Sequence, residues 1–104
     1  MFVVVFEVTM KPGLQKQYFD LAASLRPELE KIDGFILVER FESVSNEGKY
    51  VSISFWRDER AVENWRAHAE HQVAQERGKD EIFADLRISI GAVQRQYTMA
   101  DRVS

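Results

Sequence analysis

Cysteine is absent from this 104-residue chain, which excludes disulfides, thiolate nucleophiles, iron–sulfur clusters and Cys-type zinc sites. The absence fits a reducing compartment, and the chain is read as cytoplasmic. Proline occurs twice and glycine five times, too little for a flexible or collagen-like segment, and there is neither a repeat nor a low-complexity run. No long hydrophobic run occurs. The opening "MFVVVFEVTM" is apolar but interrupted by Glu7, and it is far shorter than the roughly 20 residues that cross a bilayer. An excess of one charge is missing too: 14 basic residues face 17 acidic ones, for a net charge of −3. The signs alternate along the helical segments, so the basic stripe that nucleic acid requires is not there.

What remains is the composition of a globular domain, 45% hydrophobic and 30% charged. A chain of this length forms one domain and buries only about 60–70% of its unfolded surface, so the core is small. Residues 2–9, "FVVVFEVT", are β-branched and aromatic and read as a strand that "KPG" at 11–13 ends. Leu14, Tyr18, Leu21, Leu25, Leu29 and Ile32 recur at steps of three or four and share one helix face until Asp33 and Gly34. Pro27 inside that pattern predicts a kink or break near residues 23–27. "GFILVERFES" at 34–43 and "KYVSISFW" at 49–56 read as antiparallel strands joined by "SNEG". Asp58 offers an N-cap for a helix that runs to Gly78. After a short "KDEIFAD" connection, "LRISIGAVQRQY" at 86–97 reads as the last strand, with Gly91 a candidate bulge and residues 98–104 a flexible tail.

The order β-α-β-β-α-β predicts an α+β, ferredoxin-like fold with a four-stranded antiparallel sheet. Two helices cover only one face of such a sheet. In the first strand Phe2, Val4, Phe6 and Val8 alternate with Val3 and Val5, so both faces are apolar. The uncovered face predicts a homodimer whose two sheets pack into a dimeric α/β barrel.

The text from Asp33 to Ser43, "SFWRDERAVENWRAHAEH" at 54–71 and the closing "FADLRISIGAVQRQY" together resemble the antibiotic biosynthesis monooxygenase (ABM) family of small ferredoxin-like domains. The resemblance spans most of the chain, and the segment from Trp56 to His71 is its most specific part. It implies a homodimer with a pocket in each subunit between helices and sheet. The family includes cofactor-free oxygenases that convert phenols or anthrones to quinones, heme-degrading monooxygenases, a quorum-signal isomerase and members of no known activity, so membership alone leaves function open.

The third strand alternates, Val51, Ile53 and Phe55 on one side and Tyr50, Ser52, Ser54 and Trp56 on the other. Trp56 resembles the pocket Trp of the quinone-forming enzymes, and Ser52 stands where they carry an anion-stabilising Asn; a hydroxyl donates one hydrogen bond there. Ser52 and Ser54 are equally read as small residues of a half-buried strand. In "NWRAHAEH", at about 100° per residue, Val62, Trp65, Ala69 and Val73 share a face, His68 lies at its margin, and His71 falls on the far side of a straight helix. Trp65 also resembles a residue of the heme-degrading members, but their axial His aligns with Gln75 and their strand-one Asn with the Phe6–Glu7 region. An arginine that helps bind substrate in the quinone-forming enzymes falls near Arg77. The expected site is therefore Ser52, Trp56 and His68 as catalytic groups, with Tyr50, Ser54, Trp65, His71 and Arg77 binding a small aromatic ligand. No metal is expected, since His68, Glu70 and His71 are too contiguous for a facial triad. Cofactor-free oxidation of a phenol is the first reading; a non-catalytic ligand-binding or stress-related domain and a heme-degrading enzyme are the alternatives.

Overall fold

A computed structural model describes residues 1–76 and 82–103. Its elements are β1 (Phe2–Met10), α1 (Gln15–Glu30), β2 (Phe35–Glu42), β3 (Lys49–Trp56), α2 (Glu59–Glu76), β4 (Phe83–Ala92) and α3 (Met99–Val103). The four strands form one sheet in the order β2-β3-β1-β4, with every neighbouring pair antiparallel. This is the α+β, ferredoxin-like arrangement that the apolar periodicities predict. Among the described residues no helix is long and apolar enough to cross a membrane.

Strand alternation decides which residues meet the helices. Val4, Val8 and Met10 of β1 and Ser54 and Trp56 of β3 are buried on the helical side. Two clusters form there. Val4, Leu29, Trp56, Ala61 and Val62 make one, and Val8, Met10, Tyr18, Leu21 and Ile82 the other. Val8 and Val62 are fully buried, each worth about 1.5–3 kcal/mol of hydrophobic stabilisation.

The turns are made by the expected chemistry. Gly48 closes the β2–β3 hairpin at φ +77°, where Ser43 N–H bonds to the Lys49 carbonyl at 2.9 Å. Asp58 caps α2, its Oδ1 accepting the Ala61 N–H at 2.9 Å. Gly34 is the tightest point in the chain: at φ +96° its missing side chain lets Ala61 approach so closely that a Cβ would lie 2.7 Å from the Ala61 Cβ. Across the same turn Arg57 grips both oxygens of Asp33, at 3.0 and 3.1 Å. The start of β2 is thereby fastened to the first turn of α2.

Four sequence expectations differ from the structure. Helix α1 runs without a break through Pro27; the proline removes its own bond to the Ala23 carbonyl, and the buried Leu21 and Leu29 on either side hold the helix to the sheet. Strand β4 spans Phe83–Ala92, earlier than the expected 86–97. The reason lies in its partner: Ala92 already pairs with Phe2, the first residue of β1, and Val93 N–H bonds to the Met1 carbonyl at 2.9 Å. Beyond that point there is no strand to pair with. Gly91 pairs in register with Val3, and the irregularity lies instead between Thr9 and Met10. The expected tail contains α3, where Thr98 and Asp101 cap each other, Thr98 N–H donating to Asp101 Oδ2 at 3.0 Å.

The sheet face away from the helices carries Val3, Val5, Val51, Ile53 and Phe55, with Leu37 and Phe41 largely exposed on β2. Glu7 stands in the middle of this face. Its carboxylate accepts from Arg87 Nη2 at 2.8 Å and lies 3.2 Å from Lys49 Nζ. These two cations hold the Glu7 carboxyl down at about 2.

Candidate functional site

Between α1, α2 and the sheet lies a cavity of about 220 Å³, the volume of about seven waters at roughly 30 Å³ each. Its floor is built from Val4 and Phe6 of β1 and Ser52 and Ser54 of β3; its walls include Leu25 and Leu29 of α1 and Trp65 of α2. Small side chains create the space. Ala22 on α1, Ala69 on α2 and the two serines line the same cavity, so the covering helices rest on longer neighbours and leave a void between them.

Trp56 stands behind this wall. It is fully buried, its ring stacked on Trp65 at 6.2 Å and 21° and met edge-on by Phe35 at 5.4 Å. Its indole Nε1–H donates to Ser54 Oγ at 2.9 Å. Since that oxygen is already accepting, the Ser54 hydroxyl proton is directed to another acceptor, and Ser54 lines the cavity. Trp56 thus touches the cavity through Ser54 and Trp65 and contributes no lining of its own.

The structure gathers Ser52, Ser54 and Trp65 around the cavity. It places His68 elsewhere: the imidazole packs 6.5 Å from the Trp65 ring, and its buried Nε2 lies 3.4 Å from Glu28 Oε2 without a well-aligned hydrogen bond. Tyr50 belongs to the aromatic group at the other end of the sheet, 5.1 Å from Phe19 and 6.2 Å from Tyr18. Helix α2 is continuous from Glu59 to Glu76, so the chain stays helical from Trp65 to His71. The His71 side chain and Arg77 lie outside the described residues. Among the described residues no cluster of three or more His, Asp or Glu is arranged to hold a metal ion.

Sequence reasoning missed Tyr18 and three arginines, Arg26, Arg40 and Arg66, all of which line the cavity. A signal for Arg40 existed. The "SNEG" hairpin sets the β2–β3 register, in which Arg40 faces Ser52 and Val38 faces Ser54, so a residue opposite either serine shares its face. Tyr18 was read as core, which it also is. Three guanidiniums make this lining cationic in a chain of net charge −3, since Glu39, in register with Ile53, directs its carboxylate to the other face of the sheet. Arg26 Nε is 3.3 Å from Glu30 Oε1 and Arg66 Nη1 is 3.6 Å from Glu63 Oε1. Arg40 lies over aromatic rings, 5.4 Å from the Tyr18 centroid and 6.0 Å from that of Phe19. Burial pushes the Tyr18 phenol up, with Arg40 pulling the other way, so Tyr18 stays a hydrogen-bond donor at neutral pH.

Comparison with known proteins gives this geometry a family. A protein named jasmonate monooxygenase ABM, from Pyricularia oryzae, is 45% identical over 93 residues, covering 89% of this chain and 43% of its own length. The chain spans about half the length of the curated relatives it matches. Among solved structures, SnoaB, a cofactor-independent oxygenase from Streptomyces nogalater, superposes with a TM-score of 0.74 at 12% identity, covering 91% of this chain and 94% of SnoaB. MhuD with two manganese protoporphyrin IX molecules per active site superposes at 0.75 and 13% identity, covering 94% of this chain and 99% of MhuD. At such identities these two speak for the fold. Residues 1–77 match the family described as antibiotic biosynthesis monooxygenase, and the chain belongs to that family.

Proposed function

We propose that the cavity is the reaction site of a monooxygenase acting on a small ring-bearing organic molecule, a phenol or a jasmonate-like cyclic ketone, whose anion reacts directly with O₂. One observation carries the reading: an apolar enclosure whose floor presents the Ser54 hydroxyl, held in place by the Trp56 indole, beside Ser52. The substrate loses a proton to solvent water to become an electron-rich carbanion or phenolate. Carbon–oxygen bond formation with O₂ gives a peroxide, and loss of water from a CH–OOH carbon leaves a carbonyl. One oxygen atom ends in product and one in water, and the electrons come from the substrate's own C–H bonds. The protein supplies desolvation, alignment on the Trp65 wall, and donors for the anion from Ser52 and Ser54. Guanidiniums in the lining favour the anionic form further. His68 meets Trp65 and Glu28 in place of the cavity, so its assigned role is to position Trp65.

Heme chemistry does not fit the described residues. The His68 imidazole engages Glu28 outside the lining, and no described residue of the lining is a histidine that could ligate iron. The apolar outer face of the sheet supports the homodimer, and a cytoplasmic protein belongs to the same reading. Sedimentation at micromolar concentration tests the dimer; a monomer there rejects it.

Oxidation is tested by incubating the protein with anthrones, phenols and jasmonic acid under ¹⁸O₂ and under nitrogen, with mass spectrometry of the products. Incorporation of one labelled atom, reduced at least about tenfold by Trp65→Ala, is expected. Ligand binding without incorporation across the panel makes the chain a binding module instead.

A further inference from the structure

The cavity joins the two core clusters, and its ends differ. At one end Val4, Leu29 and Trp65 offer apolar surface and a flat ring beside Ser54, the register partner of Val4. At the other, beside Tyr18 and Phe83, stands Arg40. Arg40 is unlike the other two arginines of the lining, which approach Glu30 and Glu63. Among the described residues it makes no ion pair, and the rings of Tyr18 and Phe19 hold its guanidinium from one side. The adjacent carboxylate, Glu39, pairs in register with Ile53 and belongs to the opposite face of the sheet. Part of its donor set engages the Tyr18 phenol oxygen, and the remaining N–H groups of the planar fork are left for a carboxylate.

From this arrangement we infer that the ligand of this cavity is an organic acid, its carboxylate bound by Arg40 beside Tyr18 and Ser52 and its apolar ring directed toward Trp65. Arg40 faces Ser52 across the β2–β3 pair, so one carboxylate reaches both the guanidinium and the serine hydroxyl. The neighbouring Tyr18 phenol supplies a further donor. The reacting carbon then lies at the far end, near Ser54 and Trp65, and Arg40 determines specificity without touching the reacting atoms. Arg26 and Arg66 add long-range attraction for the same charge, steering an anion into a protein that is acidic elsewhere. The inference rests on the cavity being the ligand site, but it does not require oxidation.

The test is equilibrium binding to the full chain followed by the emission of Trp65 and Trp56, with 4-cyclohexylbutyrate and its methyl ester as probes. The two share the ring and chain length and differ in charge. The acid is expected to bind about tenfold or more tighter than the ester, Arg40→Gln to remove that preference while shifting ester affinity by less than about twofold, and Arg40→Lys to fall between. Arg26→Gln is expected to weaken the acid by about threefold or less, in a salt-dependent way. Equal affinity of acid and ester for the unmodified protein overturns the inference. So does an equal loss of both in Arg40→Gln, or no response to either probe. If Arg40→Gln fails to fold by circular dichroism, an acid preference unchanged in Arg40→Lys overturns it. Isotope incorporation is measured separately, so acid selectivity without incorporation removes the oxygenase and keeps the acid site, and incorporation into neutral substrates alone does the reverse.

Discussion

Ser54→Ala isolates the bond on which the cavity floor depends. In the native protein the Trp56 indole N–H donates to Ser54 Oγ at 2.9 Å, with Trp56 fully buried and Ser54 only 5% exposed. Removing the hydroxyl leaves that N–H without its acceptor where water does not reach, at a cost of about 1–3 kcal/mol. The lost oxygen leaves only a small void, so the orphaned donor dominates. At about 4–8 °C per kcal/mol for a domain of this size, a mid-range loss of about 2 kcal/mol lowers Tm by roughly 8–16 °C. Urea unfolding followed by circular dichroism measures the free energy without relying on the altered tryptophan. The decisive comparison is a double-mutant cycle with Trp56→Phe, which has no N–H to orphan. In that background Ser54→Ala is expected to cost less than about 0.5 kcal/mol, for a coupling energy of about 1–2 kcal/mol. If Ser54→Ala costs the same in both backgrounds, the indole bond contributes nothing and the proposed orientation of the serine hydroxyl loses its basis.

Gly34→Ala forces a side chain into left-handed backbone and into contact with Ala61, so a loss of about 2–4 kcal/mol in urea unfolding is expected, with partial recovery in Ala61→Gly; a loss below about 0.5 kcal/mol refutes the close approach. Glu7, held at about 2 against an ordinary 4.5, has a depressed folded-state pKa. Its stabilisation is therefore complete above about pH 4.5 and disappears as pH falls toward 2. The difference in urea midpoint between the native chain and Glu7→Gln is expected to be constant above pH 5 and to shrink steadily as pH falls through about 2; a difference that does not change between pH 5 and pH 2 rejects the two-cation cage. His68→Gln is expected to change kcat by less than about threefold, because loss of a general base costs about 10²–10⁴; a loss in that larger range places His68 in proton transfer after all.

The elements and their order were legible because each rests on a local pattern. Alternation in "FVVVFEVT", the three-and-four spacing from Leu14 to Ile32, and Asp58 ahead of an apolar helix face each specify backbone without distant information. The end of β4 was not legible, since it is set by where β1 begins, at Phe2, the partner of Ala92. Pro27 misled for a related reason: the local cost of its missing bond to the Ala23 carbonyl is offset by tertiary packing of Leu21 and Leu29, which the local pattern does not weigh. In the candidate site, Ser52, Ser54 and Trp65 could be placed from strand and helix phase. His68 could not. It lies at the margin of its helix face, and only the packing of α1 decides whether a marginal residue meets the cavity or, as here, Glu28. The arginines escaped notice because charge on an amphipathic element ordinarily means solvent, and nothing local separates a solvated guanidinium from one seated on Tyr18 and Phe19.

Scaffold and chemistry are divided between different residues, which explains how one fold can serve several substrates. Gly34, Asp58, Ala61 and Val62 fasten the β2 turn to α2, and none of them lines the cavity. Ser52, Ala69 and Arg40 line it, and none of them caps a helix or closes a turn. A change in the second group can alter the ligand while the first still dictates the backbone. Core and lining meet at Val4, Tyr18, Leu21 and Leu29, which belong to both, and at the Trp56–Ser54 hydrogen bond that joins the buried core to the cavity floor. A relative that shares the scaffold residues therefore shares the fold, whereas its substrate transfers only as far as the lining does. For this chain the lining is cationic at one end and aromatic at the other; Trp65 is also packed against the core, so it is the exchange of Arg40 that should change ligand choice without lowering stability as Gly34→Ala does. An equal stability loss in both variants would mean that this part of the cavity wall belongs to the folding core, and that the ligand is constrained by the scaffold itself.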